Sequence, residues 1–447
     1  MAIKYQVPRG TQDLLAPDIY AWQQTEALIR DVCALYGYGE VRTPIFEETG
    51  VFATANDSSD MVNKEMYTFT DNGQRSLTLR PEGTKGVIRS FVEHKMYGNP
   101  GLLPAKLFYM GPMFRYERPQ KGRYRQFNQF GIEAIGAKSP LLDVETIVMG
   151  YTICRCLGIK NLEIKLNSLG DDASRAAYRQ ALKDHFKPVL GELCEDCQRR
   201  YEQNPLRILD CKVDVGHPSF KDIPDIQDYL TPESKEYFAK VEQGLNDLHI
   251  PYTVDPKLVR GLDYYTHTVY EAVPVTAAGQ QATVFGGGRY DGLVDYFGGG
   301  PLSGVGFGMG MERLIQLARD EGMEYSDHAD TDVYVIGLGD IGPYGLSAAT
   351  MLRGNGYVTD MDYQGRGLKA QFKSAERDGA KVIVIIGQDE VANNEVTIKD
   401  VANQKQVNVP LDDMIKTVDA IFEAAEQEDD EQGHHHHDGD GCQCQEG

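Results

Sequence analysis

Residues 18–36 place Ile19, Trp22, Leu28, Val32 and Leu35 at close to helical spacing, and Gly37 follows as a stop, so the first strong pattern predicts an amphipathic helix. The period then shortens. EVRTPIFEE, SLTLRPE, AKLFYMGPMFRYE and YRQFNQFGIEAIG are strand-like runs separated by turn-rich segments such as TDNGQR and RPQKGR, a pattern that predicts antiparallel hairpins. Helical spacing returns at 141–157 (LLDVETIVMGYTICRCL).

Between residues 169 and 255 the texture becomes helical and polar, with many breakers. Strand patterns resume at 262–275 and 282–289, and GVGFGMGMERLIQLARD then runs from a strand or turn into a helix. The sheet elements on either side of 169–255 are expected in one antiparallel sheet, with that segment as an insertion. A polar break at 321–332 precedes DVYVIGLG, a helix near 343–355, YVTDMDY, a helix at 366–378 and AKVIVIIG. That alternation predicts a small α/β domain with a largely parallel sheet. The organisation expected is a core in two parts, 1–168 and 256–325, a mostly helical insertion at 169–255, an α/β domain at 330–420 and a disordered acidic tail at 423–447.

Composition changes this picture in three ways. The length of 447 residues exceeds one ordinary domain. No apolar run approaches the ~18–20 residues of a membrane span, and MAIKYQVPRGTQDLL has no secretory pattern, so no membrane association and a cytoplasmic location are expected. The net charge of −22 argues against bulk electrostatic capture of nucleic acid. The segment from Glu423 to the end carries nine acidic residues and no Lys or Arg, which leaves −13 for the rest, so a nucleic-acid partner would need local basic patches.

Five constellations carry candidate chemistry. RPEGT (Arg80–Thr84) sets a carboxylate and a hydroxyl beside a turn; it suits an ammonium group, or serves only as a capped strand-to-helix turn. FRYERPQKGRYRQFNQFGIE places Arg115, Arg118, Lys121, Arg123 and Arg125 around one turn, and arginine suits bidentate capture of phosphate. Alternation puts Gln129, Gly131 and Glu133 on one face of its second strand. LVRGLDYYTHTVYE embeds Arg260 in an aromatic run; the run alone suits a core strand, but the arginine needs an anionic partner. FGGGRYDGL and GFGMGMERL bring glycines beside Arg289, Tyr290 and Arg313, and permit close approach of a planar or phosphate ligand. Neither is a P-loop or a dinucleotide fingerprint.

In this order the five pieces resemble the class II aminoacyl-tRNA synthetase core. YGYGEVRTPIFEETGVF is similar to the dimer-forming motif 1, FRYERPQKGRYRQFNQFGIE to motif 2 and GFGMGMERL to motif 3. RGLDYYTHTVYE and GGGRYDGL resemble the two elements peculiar to the histidine–tRNA ligase family, and PRGTQDLL and NPLRILDCK resemble its bacterial members. The resemblance covers about residues 1–420. It implies an α+β catalytic core with a six-stranded antiparallel sheet flanked by helices, a helical insertion and a C-terminal α/β anticodon-binding domain. It also implies a homodimer that uses L-histidine, ATP with Mg²⁺ and tRNA(His), with no tightly bound cofactor.

The resemblance further implies roles. Glu82, Thr84 and Gln129 would receive the substrate α-ammonium, and Gly83 would belong to the same histidine-binding pocket. Glu133 and Tyr265 would bracket the imidazole, a polar pair that disfavours apolar isosteres. Tyr264 and Tyr290 would complete the wall. Arg115 and Arg260, the catalytic pair, would face the α-phosphate from opposite sides and border the histidine. Arg123 and Arg313 would hold the γ-phosphate, with Arg313 also stacking on adenine. For tRNA, Arg118 and Gln120 lie at the motif 2 tip, and Arg366, Lys369, Lys373 and Arg377 recur as one basic stripe if helical.

Cys194, Cys197, Cys211 and His217 raise a zinc site, but C-x5-H is not a usual second pair, so reduced structural thiols and no metal are expected there. His434–His437 with Cys442 and Cys444 are given no catalytic role. A rival is a histidine-sensing regulatory paralogue, which would lack the C-terminal domain and the nucleotide-handling arginines; both are present in this chain. A pure nucleic-acid-binding protein is disfavoured by the acidic balance.

Overall fold

The computed structural model describes residues 4–53, 59, 61–119, 122–275, 283–326, 331–339 and 341–433. The chain forms two compact units, one from residues up to Leu14 and Trp22–Glu324, the other from Leu15–Ala21 and the residues from Tyr325 on.

Among the described residues the first unit has eleven strands: β1 (Gly39–Glu40), β2 (Phe46–Glu48), β3 (Tyr67–Thr70), β4 (Ser76–Leu79), β5 (Ala105–Phe114), β6 (Gln126–Ile135), β7 (Leu162–Ser168), β8 (Tyr252–Val254), β9 (Thr266–Pro274), β10 (Phe285–Tyr290) and β11 (Gly304–Gly310). Eight of them form one sheet in the order β1-β5-β6-β11-β10-β9-β7-β8. The expectation of a six-stranded antiparallel sheet needs correction, because this sheet is eight-stranded and mixed. Its inner run from β5 to β7 is antiparallel throughout, while the edge strands β1 and β8 run parallel to their neighbours. Edges of two or three residues are too short to show a period-2 pattern in the sequence. Pro44 likewise splits the run EVRTPIFEE, so only its ends become β1 and β2; the latter joins β4 and β3 in a small separate sheet.

Strands before and after 169–255 share the large sheet, and residues 252–254 of that segment join it as β8, so the chain leaves the sheet between β7 and β8. It packs its own core around Tyr178, Leu182, Phe186, Ile208 and Phe220, and that core reaches Leu258, Tyr265 and Val269. On one face of the sheet the helix Thr84–Glu93 buries Val87, Ile88 and Phe91 against Tyr109, Met113, Ile135 and Tyr290. The other face carries the helix Pro140–Cys156. Its Asp143 forms a fully buried ion pair with Arg289 of β10, and Thr268 of β9 donates to the second carboxylate oxygen at 2.6 Å. Arg289 also donates to Ala137 O (3.0 Å), Ser139 O (3.2 Å) and Ser303. The helix Asp18–Leu35 ends as expected, with Gly37 at φ +74°, but its terminal Leu35 is exposed.

The second unit contains β12 (Val333–Gly337), β13 (Thr359–Met361), β14 (Val382–Ile386), β15 (Glu395–Asp400) and β16 (Lys405–Pro410), in the order β13-β12-β14-β15-β16. The expected largely parallel sheet is mixed, since β14, β15 and β16 pair antiparallel. The β15–β16 hairpin escaped the sequence pattern because β16 is solvated almost throughout. The helix Met414–Gly433 takes in residues 423–433 of the segment expected to be disordered, as its Ala, Glu and Gln content favours. The remainder of that tail lies outside the described residues.

Replacing Asp143 by Asn leaves the Arg289 charge buried without its partner. The substitution should cost about 3–5 kcal/mol, read as a lower urea midpoint, whereas Glu236→Gln, in the solvent-exposed pair with Lys240, should leave the midpoint nearly unchanged.

Candidate active site

The residues singled out from the sequence converge on the face of the large sheet covered by the helix Thr84–Glu93. Gln129, Gly131 and Glu133 pair with Gly310, Gly308 and Gly306 of β11, which confirms that the three share one face of β6. Their neighbours on β11 explain the glycines. A Cβ at Gly308 would sit 2.5 Å from the Gln129 amide, and one at Gly306 would clash with Ile132 O and the Glu133 carboxylate. On β10, a Cβ at Gly286 would sit 2.6 Å from the Arg260 guanidinium. The bare strand floor is the space those side chains occupy.

Glu133 is 1% exposed and accepts from Thr84 Oγ1 and Tyr290 Oη, both at 2.6 Å. Burial pushes its carboxyl up to about 8, against the two hydroxyl donors that pull it down, with Glu82 adding to the rise. Glu82 is also buried, and its oxygens accept from the backbone N–H of Thr84 (2.7 Å) and Lys85 (2.9 Å), capping the helix that follows. Burial raises the Glu82 carboxyl despite Lys85 and those two bonds. Gly83 has no room for a side chain, because a Cβ would strike the Tyr109 ring. Tyr264 stacks near Tyr265 at 4.7 Å between centroids and meets Tyr290 edge-on at 5.9 Å. These contacts give an aromatic wall with a carboxylate at its base.

The arginines flank this pocket. Arg115 Nε donates to Pro81 O at 2.8 Å, and its guanidinium lies 5.2 Å from the Phe127 ring. Burial lowers the Arg115 guanidinium; Glu65 and Glu82 oppose this, and Arg260 adds to it. Arg260 ion-pairs with Glu271 of β9, while its Nε is buried with no partner among the described residues. Thr283 Oγ1 donates to the other Glu271 oxygen at 2.8 Å, and Arg313 donates to Thr283 O at 2.5 Å. Burial lowers the Arg313 guanidinium, and the nearby Arg123 lowers it further. Arg123 itself pairs with Glu117. Cations that disfavour one another in this way suit a shared polyanion.

Sequence reasoning missed two residues of this site. Glu271 ends the aromatic run and is the anionic partner that Arg260 required. Tyr109 of β5 lies opposite Gly131 and donates to Gln129 Oε1 at 3.4 Å. Extending the alternation of β6 across the hairpin would have found it. Three expectations fall elsewhere. Arg118 is exposed at the motif 2 turn, and Gln120 lies outside the described residues. Arg366 precedes the helix Leu368–Arg377 and pairs with Asp362, so it is no member of a helical stripe; Gly367 starts the helix after it. Lys369, Lys373 and Arg377 do lie exposed along that helix, opposite the buried Gln371, Ser374 and Ala375, with Arg377 paired to Asp378.

A family model for histidyl-tRNA synthetase matches residues 10–191 and 207–314, and one for an anticodon binding domain matches residues 332–421. A histidine–tRNA ligase of Bacillus velezensis is 50% identical over 419 residues, covering 93% of this chain and 99% of that relative. The histidine–tRNA ligase of Bacillus subtilis is 49% identical with the same coverage. Among solved structures, apo histidyl-tRNA synthetase from S. aureus superimposes with a TM-score of 0.79 at 43% identity, over 93% of this chain and 99% of its own.

The raised Glu133 carboxyl makes stability pH-sensitive. A carboxyl at about 8 when folded, against an ordinary 4.5, binds more protons folded than unfolded, so its contribution to stability falls as pH rises from 4.5 through 8. Thermal midpoints of Glu133→Gln minus wild type should therefore climb across that window. A difference that stays flat with pH would contradict the titration.

Proposed function

The chain belongs to the histidyl-tRNA synthetase family, and on that premise we propose that it ligates L-histidine to tRNA(His) through a histidyl-adenylate, consuming ATP and releasing AMP and pyrophosphate. The observation that carries this reading is the buried Glu133, held by two hydroxyls beneath a tyrosine wall, with Arg115 and Arg260 alongside. A carboxylate serves one imidazole N–H and the Tyr265 phenol serves the other nitrogen. An apolar side chain of the same size would leave both unpaired, at a cost that supports selection. Glu82, Thr84 and Gln129 receive the α-ammonium, beside Gly83, whose missing side chain lets the Tyr109 ring pack close.

In the first step an oxygen of the histidine carboxylate attacks the α-phosphorus in line. The new carboxylate–phosphorus bond forms as the bond to the bridging oxygen breaks and pyrophosphate leaves. Charge gathers on the equatorial oxygens, where Arg115 and Arg260 supply preplaced donors. The attacking carboxylate is already ionised, so no protein base is needed. Arg123 and Arg313 hold the γ-phosphate, and Mg²⁺ accompanies the nucleotide. Glu271 orients Arg260, leaving the other N–H groups of the guanidinium for the phosphate. In the second step a hydroxyl of the terminal tRNA ribose attacks the acyl carbon and AMP departs.

The tRNA is read in two places, at the motif 2 turn with Arg118 and Gln120 and along the exposed Lys369, Lys373 and Arg377 face of the domain matched to anticodon binding. A homodimer through the motif 1-like segment is supported by the exposed Leu35, Ile45, Phe46 and Phe69 side chains. No helix among the described residues is long and apolar enough to cross a membrane, and the proposed location is the cytoplasm, with the tRNA substrate.

Histidine-dependent exchange of pyrophosphate into ATP tests the reading directly; exchange with another amino acid, or none with histidine, overturns it. Arg260→Ala should slow that exchange by roughly 10²–10³-fold with histidine affinity nearly unchanged. A collapse of histidine affinity would instead make Arg260 a substrate-binding residue. Replacing Lys369 and Lys373 together by Ala should raise the KM for tRNA and shallow its salt dependence while pyrophosphate exchange stays at the wild-type rate; unchanged tRNA kinetics would remove this face from the interface.

A further inference from the structure

Away from the active site, the insertion brings together four groups that its sequence spacing left apart. Cys194 stands at the N-terminal cap of the helix Glu195–Gln203, and Cys197 follows one turn on, so both project from the same face. The chain then turns through Pro205–Ile208 and returns with Cys211 and, three residues later, Asp214 at the start of a short 3-10 helix. One ligand atom from each of Cys194, Cys197, Cys211 and Asp214 lies within 4.8 Å of every other. His217, the residue first paired with these thiols, turns away to Ser219 and Glu192.

We propose that Cys194, Cys197, Cys211 and Asp214 form a structural Zn²⁺ site that staples the insertion beneath the active-site stretch Arg260–Asp263. The spacing of the donors supports a tetrahedral cation. With Zn–S about 2.3 Å and Zn–O about 2.1 Å, a tetrahedron has sulfur–sulfur edges of about 3.8 Å and sulfur–oxygen edges of about 3.6 Å. The Cys194 and Cys211 sulfurs are 3.7 Å apart, and Cys211 Sγ lies 3.6 Å from Asp214 Oδ2. With every separation within 4.8 Å, closing by about 1 Å at most completes the figure. Three sulfurs with one carboxylate suit Zn²⁺ over Mg²⁺ or Ca²⁺, which take oxygen ligands.

The surroundings are those of an oriented ligand set. The Cys194 backbone N–H donates to the Asp214 carboxylate at 3.0 Å, and the Asp214 N–H donates to Cys211 Sγ at 3.4 Å. Such bonds fix ligand direction and offset the charge of thiolates. Cys197 and Cys211 are buried in the core of the insertion. Binding replaces the thiol protons, which leave to solvent as the sulfurs take the cation. Between the two ligand pairs runs the turn that touches the active site: Asn204 donates to Asp263 at 3.0 Å and Arg207 donates to Arg260 O at 2.8 Å. A cation joining both ends of that turn holds those contacts in place. This role is separate from catalysis and stands whether or not the chain charges tRNA.

The test is metal analysis of the full-length chain after dialysis, wild type against Cys211→Ser, with the C-terminal His and Cys residues common to both. Wild type should carry one more equivalent of zinc per chain, and cobalt substitution should give a wild-type-minus-variant spectrum with thiolate charge-transfer and tetrahedral d–d bands. Equal zinc in the two proteins, or a difference spectrum without those bands, overturns the site, as does a Cys194–Cys211 disulfide in wild type. Asp214→Ala removes no thiol from the core, so it guards against a misfolded cysteine variant. It should weaken zinc by roughly tenfold or more, and unchanged affinity would strike out the carboxylate ligand and with it the four-ligand site.

Discussion

The site depends on glycines that leave one face of two strands bare beside Tyr290. Gly286, Gly306 and Gly308 leave a floor onto which Arg260, Glu133 and Gln129 fold flat, and each added methyl would meet one of those groups or the strand behind it. Polar atoms from β6 and from the Arg260 segment therefore reach a single cleft without opening the sheet. The same absence lets Gly83 pass beneath Tyr109. A cleft shaped by missing atoms tolerates little, because its neighbours are backbone or buried charge.

Given that floor, the remaining problem is burying charge inside an acidic protein. Asp143 and Arg289 solve it by pairing completely, with carbonyls and hydroxyls taking the other donors and acceptors, and so join the helix Pro140–Cys156 to β10. The functional groups solve it only in part. Glu133 has two hydroxyl donors but no cation partner among the described residues, so burial raises its carboxyl to about 8. Arg260 has Glu271 yet keeps a buried N–H without a partner among the described residues, and Arg123 and Arg313 crowd one another. Missing ionic partners at these positions, beside the hydrogen-bonded Asp143–Arg289 pair, separate the groups suited to a ligand from those that hold the fold, although burial raises the Asp143 carboxyl as well.

Much of this was legible in order along the chain. The helix after residue 18, the hairpin that became β5 and β6, the insertion between sheet strands and the shared face of Gln129 and Glu133 all follow from periodicity, because each is a local repeat of period 3.6 or 2. The misreadings share a cause. Edge strands β1 and β8, the solvated β16 and the exposed Leu35 are decided by what lies beside them, and a short or polar segment carries no period to announce it. Arg366 missed its helix because the spacing of four cations ignored the glycine that starts it.

By itself the sequence determined the element order, the strand face that carries the two polar residues and, through motifs matched to a family, the histidine chemistry assigned to them. It also required an anion for Arg260. Only the tertiary structure decided which anion that is, since Glu271 becomes its partner when β9 doubles back beside it. The same holds for Tyr109 beside Gln129, for the thiols that gather around Asp214, and for the raised carboxyl of Glu133. These are distances and dehydration between residues far apart in the chain, quantities that appear only after the backbone has closed around them.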